Sequence, residues 1–158
     1  LMGLPQDVLK FLRISQQARL EDCERVKNSY LKYGISAEVE PFFEDLPTRM
    51  SKSQLVISRS GASSVADISV IGRPSILVPL AAAIKQEQHA NAHALVERRA
   101  AIMVEERDLH VQTLSKILIN FFAEPQRAID MAKNAKAFGT VDATDRLVEE
   151  VITLTRKS

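Results

Sequence analysis

Two short runs of consecutive apolar residues constrain the fold of this chain more than any other feature. They are Leu-Val-Ile at positions 55–57 and Ile-Leu-Val at positions 76–78. The segment between them has helical character over residues 64–71 and ends at Gly72-Arg73-Pro74, which predicts a helix stop. Parallel strands covered on both faces are typically continuous apolar runs, and the crossover between them is usually a helix. The two runs therefore predict a parallel sheet between layers of helices.

The same alternation of strand and helix continues along the whole chain. Strands are predicted at residues 12–16, 37–43, 54–58, 75–78 and 101–104. Helices are predicted at residues 19–33, 64–71, 88–99, 111–122, 125–137 and 143–155, with a short one after Asp45. Regular alternation is typical of the α/β class. We expect a doubly wound, mostly parallel sheet in a single domain that spans residues 1–158.

Composition excludes several classes of protein. The chain has 158 residues, 46% of them hydrophobic and 26% charged, which is typical of a soluble globular domain. A net charge of +1 gives no argument for binding nucleic acid or an anionic membrane. A single cysteine, Cys23, excludes an internal disulfide framework and suits a reducing compartment. It is expected to belong to the core rather than to act as a nucleophile.

A turn made only of small residues joins the third predicted strand to the next helix. In a doubly wound sheet ligands bind beyond the carboxyl ends of the strands, and Ser58-Arg59-Ser60-Gly61-Ala62 occupies such an end. Free N–H groups at the following helix start favour a phosphate group. The alternative is an ordinary turn in which Ser64 caps the helix and Asp67 completes a capping box. Asp67 is then either an acceptor for two sugar hydroxyls or a first-turn carboxylate favoured by the helix dipole.

Polar side chains follow the next strand end, in Gln86-Glu87-Gln88-His89-Ala90-Asn91. These amides suit the hydroxyls of a neutral ligand, and the alternative is a solvated loop and helix start. His89, His93 and Glu97 are spaced to share one helix face, where His89 would turn toward a ligand. A metal is disfavoured there because the chain has neither Cys-x-x-Cys nor His-Glu-x-x-His.

Five motifs in order carry a resemblance to a known family. They are Ser58-Arg59-Ser60-Gly61-Ala62-Ser63-Ser64-Val65-Ala66-Asp67, Gly72-Arg73-Pro74, Val78-Pro79, Gln88-x-x-Asn91-Ala92 and Asp142-Ala143-Thr144-Asp145-Arg146. The chain, from about residue 5 to 151, resembles the C-terminal half of the two-domain GT-B glycosyltransferases of peptidoglycan synthesis. The resemblance implies transfer of N-acetylglucosamine from UDP-N-acetylglucosamine to undecaprenyl-pyrophosphoryl-N-acetylmuramyl-pentapeptide, with inversion, no cofactor and no required metal.

The resemblance also implies roles for particular residues. Asp67 would hold the ribose hydroxyls, the main chain of Phe43 would pair with uracil, and Gln88 would contact the sugar. Glu87 stands where some members have a glutamine, and Gln16 matches a further family element only in part. The implied donor-binding residues are Phe43, Ser60, Gly61, Ala62, Ser63, Ser64, Val65, Ala66, Asp67, Glu87 and Gln88.

The resemblance places the acceptor site, the catalytic base and the membrane-facing patch in an N-terminal domain outside this chain. The whole enzyme is then expected at the cytoplasmic face of the inner membrane, with no nucleic-acid partner, whereas this part alone is soluble and inactive. The helix over residues 142–157 would pack back toward that other domain. Two alternatives stay open: a non-catalytic nucleotide-sugar-binding module that works with a separate membrane subunit, and another GT-B enzyme such as an epimerase.

The family match further implies that the first strand of the sheet precedes residue 1. Residues 12–16 and 54–58 would then either face each other about two strand spacings apart, roughly 9–10 Å, or pair directly and close the gap. We expect the first arrangement, because closure would misplace the helices on both faces.

Overall fold

The computed structural model describes residues 1, 3–81, 86–140, 148, 152, 153 and 155. Five strands lie within these residues: β1 (Arg13–Gln17), β2 (Ser36–Glu40), β3 (Val56–Ser58), β4 (Ser75–Leu77) and β5 (Ala101–Met103). The helices are α1 (Gln6–Leu9), α2 (Cys23–Lys32), α3 (Leu46–Lys52), α4 (Ala62–Ile71), α5 (Glu87–Glu97), α6 (Val111–Ala123) and α7 (Pro125–Phe138). Short 3-10 turns cover Leu20–Asp22 and Glu106–Asp108.

All strand pairs in the described residues are parallel. β1 pairs with β2, and β3, β4 and β5 pair in that order. In the second sheet Ile57 lies opposite Ile76, which in turn lies opposite Ile102. A helix crosses between each pair of successive parallel strands within a sheet. The α/β class with parallel sheets and flanking helices is confirmed.

The strand β4 is covered on both faces, as its apolar run predicted. Ile76 belongs to a cluster with Val39 and Leu118, whereas Leu77 belongs to a second cluster with Ile68 and Leu95. Successive side chains of a strand point to opposite faces, so the two clusters lie on the two sides of the sheet. The other apolar run behaves differently, because Ile57 of β3 is 44% exposed.

The two sheets are not hydrogen-bonded to each other within the described residues. Neither β1 nor β3 is a neighbour of the other, so direct closure of the sheet is wrong for this part of the chain. Residues of both sheets nevertheless share one apolar cluster, since Val39 of β2 and Ile76 of β4 belong to it. Ile14 and Leu55 also pack against this cluster. The separation of roughly two strand spacings stays a prediction.

Several element boundaries differ from those predicted. The strand predicted to reach residue 43 ends at Glu40, so Phe43 lies in the loop that follows β2. The helix predicted to start at Ser64 starts at Ala62, with Gly61 as its N-cap residue. Its predicted stop is confirmed, because Gly72 adopts a left-handed φ of 77° that glycine tolerates. Gly34 ends α2 in the same way, with a φ of 67°.

Two expectations concern the end of the chain and its relation to a membrane. The helix over residues 142–157 and the motif at 142–146 lie outside the described residues, except that residues 148, 152, 153 and 155 are helical. No helix in the described ranges combines the length and the hydropathy needed to cross a bilayer.

The end of α7 packs against α4 so closely that only glycine fits there. A Cβ atom at Gly139 would lie 2.7 Å from the carbonyl carbon and oxygen of Ser69 and 2.8 Å from the nitrogen of Val70. Backbone atoms inside a helix cannot yield as a flexible side chain does. We expect Gly139→Ala to lower the free energy of unfolding by about 1–3 kcal/mol, as overpacking generally does. Urea denaturation of this variant measures the loss, and Thr140→Ala, at the exposed next position, should show none.

Candidate functional site

The carboxyl ends of three neighbouring strands meet at one edge of the second sheet, because β3, β4 and β5 are parallel. An ion pair between Arg59, after β3, and Glu106, after β5, spans this edge. Arg59 also donates to the carbonyl oxygens of Val78 and Pro79, both at 3.4 Å. The other carboxylate oxygen of Glu106 accepts a hydrogen bond from the N–H of Ala81 at 3.2 Å. All three strand ends are thereby tied together.

Neither Arg59 nor Glu106 had a role in the sequence interpretation. The hydrogen bond from Arg59, followed by that from the N–H of Ala81, holds the pKa of the Glu106 carboxyl below its usual value. Glu106 is therefore a carboxylate at neutral pH. The only signal in the sequence was its place two residues after the end of the predicted strand 101–104. The partner lies 47 residues away, and nothing local predicts it.

The turn into α4 leaves several hydrogen-bonding groups without protein partners. No side chain caps this helix, and the first main-chain bond of its ladder runs from the N–H of Val65 to the oxygen of Gly61 at 3.0 Å. Within the described residues the N–H groups of Ala62, Ser63 and Ser64 therefore find no acceptor. Such a helix start attracts an anion. The capping box of Ser64 and Asp67 is wrong, because the helix starts two residues before Ser64.

Two further features of this turn point to a ligand rather than to packing. Ser60 is fully buried, yet its hydroxyl has no hydrogen-bond partner in the described part of the chain. Gly61 has a φ of −62°, which any residue adopts, and a Cβ built on it would meet nothing within 4 Å. Neither backbone conformation nor protein packing therefore requires a glycine here. The open space in front of Gly61 is available to a bound molecule.

Asp67 lies deeper in the helix than predicted. It is the sixth residue of α4, so it does not belong to the first turn, which contains no acidic residue. Val65, Ile68 and Ser69 form the buried face of the helix, whereas Ser63 and Asp67, four residues apart, are both exposed. The described residues offer Asp67 no hydrogen bond or ion pair. Its carboxylate is free for a ligand.

The start of α5 lies at the same edge of the sheet. The side-chain oxygen of Gln88 accepts a hydrogen bond from the N–H of Leu80 at 3.0 Å, which fixes the segment after β4. Asn91, one turn further along, donates to the main-chain oxygen of Ser60 at 3.1 Å. The structure thus connects α5 to the turn at Ser60 through Asn91, and to the segment after β4 through Gln88. Glu87 is exposed in the first turn of α5.

The histidines of α5 pair with carboxylates. The Nε2 atom of His89 lies 2.9 and 3.1 Å from the two carboxylate oxygens of Glu105. The Nδ1 atom of His93 lies 3.4 Å from a carboxylate oxygen of Glu97. His89 is therefore engaged with Glu105, and its orientation toward a ligand stays a prediction.

Phe43 is in the other half of the molecule, in the loop after β2. The residue is 5% exposed, and the guanidinium carbon of Arg49 lies 4.0 Å from its ring centroid. Arg49 also binds Glu38 through two hydrogen bonds of 2.6 and 2.9 Å and Asp45 through one of 2.6 Å. Asp45 precedes α3 as predicted but pairs with Arg49 instead of capping the helix. No hydrogen bond joins Phe43 to the turn at Ser60 in the described residues.

Gln16, which matched a family element in part, has a structural contact. Its side-chain oxygen accepts a hydrogen bond from the hydroxyl of Tyr30, a residue buried on α2. Burial raises the pKa of that hydroxyl above its usual value. Gln16 thus links β1 to the helix that follows it.

Comparison with known proteins identifies relatives over most of the chain. The model of the glycosyltransferase family 28 C-terminal domain matches residues 3–147. Two curated relatives are both named UDP-N-acetylglucosamine–N-acetylmuramyl-(pentapeptide) pyrophosphoryl-undecaprenol N-acetylglucosamine transferase. The one from Bradyrhizobium sp. (strain BTAi1 / ATCC BAA-1182) is 48% identical over 141 residues, which are 89% of this chain and 38% of the relative. The one from Rhodopseudomonas palustris (strain BisB5) is 44% identical over 149 residues, 94% of this chain and 41% of the relative.

Solved structures agree with these relatives. The crystal structure of Acinetobacter baumannii MurG matches with a TM-score of 0.82 and 26% sequence identity, over 90% of this chain and 41% of that one. The glycosyltransferase VinC in complex with dTDP matches with a TM-score of 0.61 at 18% identity, over 98% of this chain and 45% of that one, which shows the fold alone. The chain spans about two fifths of the length of the curated relatives described above.

The ion pairs of Arg49 give the stability a defined dependence on pH. Hydrogen bonds from Arg49 hold the pKa of Glu38 below its ordinary 4.5 and that of Asp45 below its ordinary 3.8. Because both values are lowered by folding, the stabilisation is complete above the ordinary values and is lost as the pH falls below them. We expect Arg49→Met to lower the thermal midpoint near neutral pH and to lower it much less in acid, at about pH 3. Equal losses at both pH values would contradict this.

Proposed function

The chain belongs to the glycosyltransferase family 28 C-terminal domains, and from this membership we propose that it binds the donor of a lipid-linked N-acetylglucosaminyltransferase. The donor is UDP-N-acetylglucosamine and the acceptor is undecaprenyl-pyrophosphoryl-N-acetylmuramyl-pentapeptide, as the names of the relatives state for those proteins. The observation that carries the proposal is the start of α4. No side chain caps it, and the residue before it is a glycine, Gly61, that neither backbone conformation nor packing requires.

The diphosphate of the donor lies in front of Gly61 in this proposal. Transfer breaks the bond between the anomeric carbon and the diphosphate oxygen, so negative charge grows on the departing UDP. The N–H groups of Ala62, Ser63 and Ser64 and the positive end of the α4 dipole stabilise that charge. Donors aimed at developing charge stabilise a transition state more than the ground state. The acceptor oxygen attacks from the opposite face of the sugar, which inverts the anomeric carbon.

Asp67 holds the two ribose hydroxyls. A carboxylate has two acceptor oxygens, which match two neighbouring hydroxyl donors. Support comes from the absence of any hydrogen bond or ion pair to Asp67 within the described residues and from its place one turn below Ser63 on the exposed face of α4. The capping role that competed with this interpretation requires a first-turn position, which Asp67 does not have.

The remaining contacts recognise the sugar and the base. Gln88 uses its side-chain oxygen for Leu80, and its amide nitrogen is left to donate to a sugar hydroxyl. Glu87, exposed beside it, accepts from another hydroxyl. The N–H and C=O of Phe43, which form no hydrogen bond within the described residues, pair with uracil. We propose the unpartnered hydroxyl of Ser60 as a further hydrogen-bonding group for the ligand, and Val65 and Ala66 as parts of the wall of the site.

The whole protein, in this proposal, works at the cytoplasmic face of the inner membrane. The acceptor named for the relatives is attached to undecaprenol, a lipid, whereas a nucleotide sugar is dissolved in the cytoplasm. We assign donor binding and leaving-group stabilisation to this chain, and the acceptor contacts and the base to the other part of the enzyme. Turnover of UDP-N-acetylglucosamine without any lipid acceptor would instead favour an epimerase.

A substitution at Gly61 distinguishes an effect on ligand binding from an effect on folding. A methyl group there meets no protein atom, so Gly61→Ala should change the free energy of unfolding by no more than about 0.5 kcal/mol, since helix-capping loss and reduced unfolded-state entropy oppose each other. In the occupied site the same methyl group contacts the diphosphate, so the Kd for UDP should rise about tenfold. Isothermal titration calorimetry and urea denaturation measure the two effects.

Gly34→Ala is the matched control for that variant. It forces a side chain onto a φ of 67° in the turn after α2, so it should cost about 1–2 kcal/mol of stability and leave the Kd for UDP unchanged. An unchanged Kd for Gly61→Ala, with the fold intact, would remove the diphosphate from this turn.

Asp67 gives an independent test of the ribose contact. Asp67→Ala should weaken UDP binding by about 1–3 kcal/mol, because hydrogen bonds to a charged group are lost. The weakening should be much smaller for a uridine diphosphate analogue that lacks both ribose hydroxyls, since that ligand never made the contact. Calorimetry with the two ligands measures the difference, and equal losses for both would assign Asp67 another role.

A further inference from the structure

Arg49 connects four separate parts of the chain around the loop that contains Phe43. Besides Glu38 of β2 and Asp45 before α3, its guanidinium donates to the hydroxyl of Ser15 on β1 at 3.2 Å. The same guanidinium lies over the Phe43 ring. The side chain is 23% exposed, although one of its partners, Glu38, is 53% exposed. An ordinary surface ion pair does not join so many elements.

The geometry of these contacts requires an arginine. Two parallel hydrogen bonds to Glu38, with Nη1 and Nη2 as donors, use the planar fork of the guanidinium. The guanidinium carbon of the same group lies over the aromatic ring, 4.0 Å from its centroid. A lysine ammonium is a point charge that neither forks nor stacks. The position of the Phe43 ring is thus fixed by a group that is itself fixed from three other directions.

The loop is held through the side chain of Phe43 and not through its main chain. Within the described residues neither the N–H nor the C=O of Phe43 forms a hydrogen bond. The residue as a whole is nearly fully buried, with 5% of its surface exposed. A donor and an acceptor are therefore kept at set positions with their hydrogen-bonding capacity unused.

We propose, on the basis of the proposed function, that Arg49 is a positioning residue that makes the donor site selective for uracil over cytosine. At one edge uracil presents the O4 acceptor beside the N3–H donor, whereas cytosine presents an amino donor beside an N3 acceptor. A fixed N–H and C=O pair matches the first edge and sets donor against donor and acceptor against acceptor on the second. Discrimination of this kind needs a site that cannot shift to relieve the mismatch.

The consequence for a variant is a change in selectivity and not only in affinity. When Arg49 is shortened, the Phe43 loop can move, and its main-chain pair can reorient toward the cytosine edge. Binding of UDP then weakens, while binding of CDP weakens less or improves. A residue that only stabilised the fold would change both affinities by the same factor.

The test is calorimetric titration of UDP and CDP into the purified chain and its variants. For Arg49→Ala we expect the Kd for UDP to rise about tenfold and the preference for UDP over CDP to fall by a similar factor, the worth of about one fixed hydrogen bond. Arg49→Lys should behave more like the alanine variant than like the original chain. Arg25→Ala is the matched control. Arg25 lies on α2 and forms an exposed ion pair with Asp22, so this variant should change neither Kd.

The outcomes separate this inference from the function on which it rests. An unchanged ratio of the two Kd values in folded Arg49→Ala, with UDP still bound by the original chain, overturns the role of Arg49 alone. Failure of the original chain to bind UDP overturns the proposed function as well. Should Arg49→Ala not fold, as judged by circular dichroism, Glu38→Gln takes its place, because Glu38 is exposed and Arg49 stays present. Its preference for UDP should fall about threefold, and an unchanged preference overturns the proposal.

Discussion

The parallel pairing of β3, β4 and β5 is the constraint on which the sheet edge with the Gly61 turn depends. It brings the carboxyl ends of three strands to one edge of the sheet. Arg59 and Glu106, which are 47 residues apart in the sequence, therefore lie close enough to form an ion pair. Arg59 and Glu106 would be unrelated surface charges in any other register. Because Glu106 also accepts from the N–H of Ala81, the same pairing sets where the segment after β4 lies. The turn at Gly61 is positioned by its place in this register.

The two halves of the molecule use arginine in comparable ways. Arg59 ties strand ends in one sheet, and Arg49 ties β1, β2 and the Phe43 loop in the other. Arg59 donates to main-chain oxygens and to Glu106, whereas Arg49 donates to the side chains of Ser15, Glu38 and Asp45. A shared apolar cluster, to which Val39 and Ile76 both belong, fixes the two halves against each other.

The sequence predicts those features that depend on neighbours along the chain. The apolar run at 76–78 and the stop at Gly72 are confirmed, because burial on both faces and a left-handed glycine leave local signatures. The predicted start of α4 was wrong. Serine is a preferred N-cap residue, which favoured Ser64, but the residue at the N-cap position is Gly61. The bonds of Arg49 and Arg59 could not be predicted, because their partners are brought together only by the folded topology. The resemblance implied that Asp67 binds a ligand. Its observed position on the exposed face of α4 leaves the carboxylate without a protein partner in the described residues.

The arrangement of the strands also affects how copies of the protein associate in solution. β1 has β2 as its hydrogen-bonded neighbour on one side only, and β3 likewise has only β4, within the described residues. A strand with one open edge is a template for a strand of another molecule. Among the same residues β2 and β5 also have one neighbour each, so each copy has four such edges, which permit chains of copies and not just pairs. The apparent size of the protein in solution should therefore be read together with its concentration.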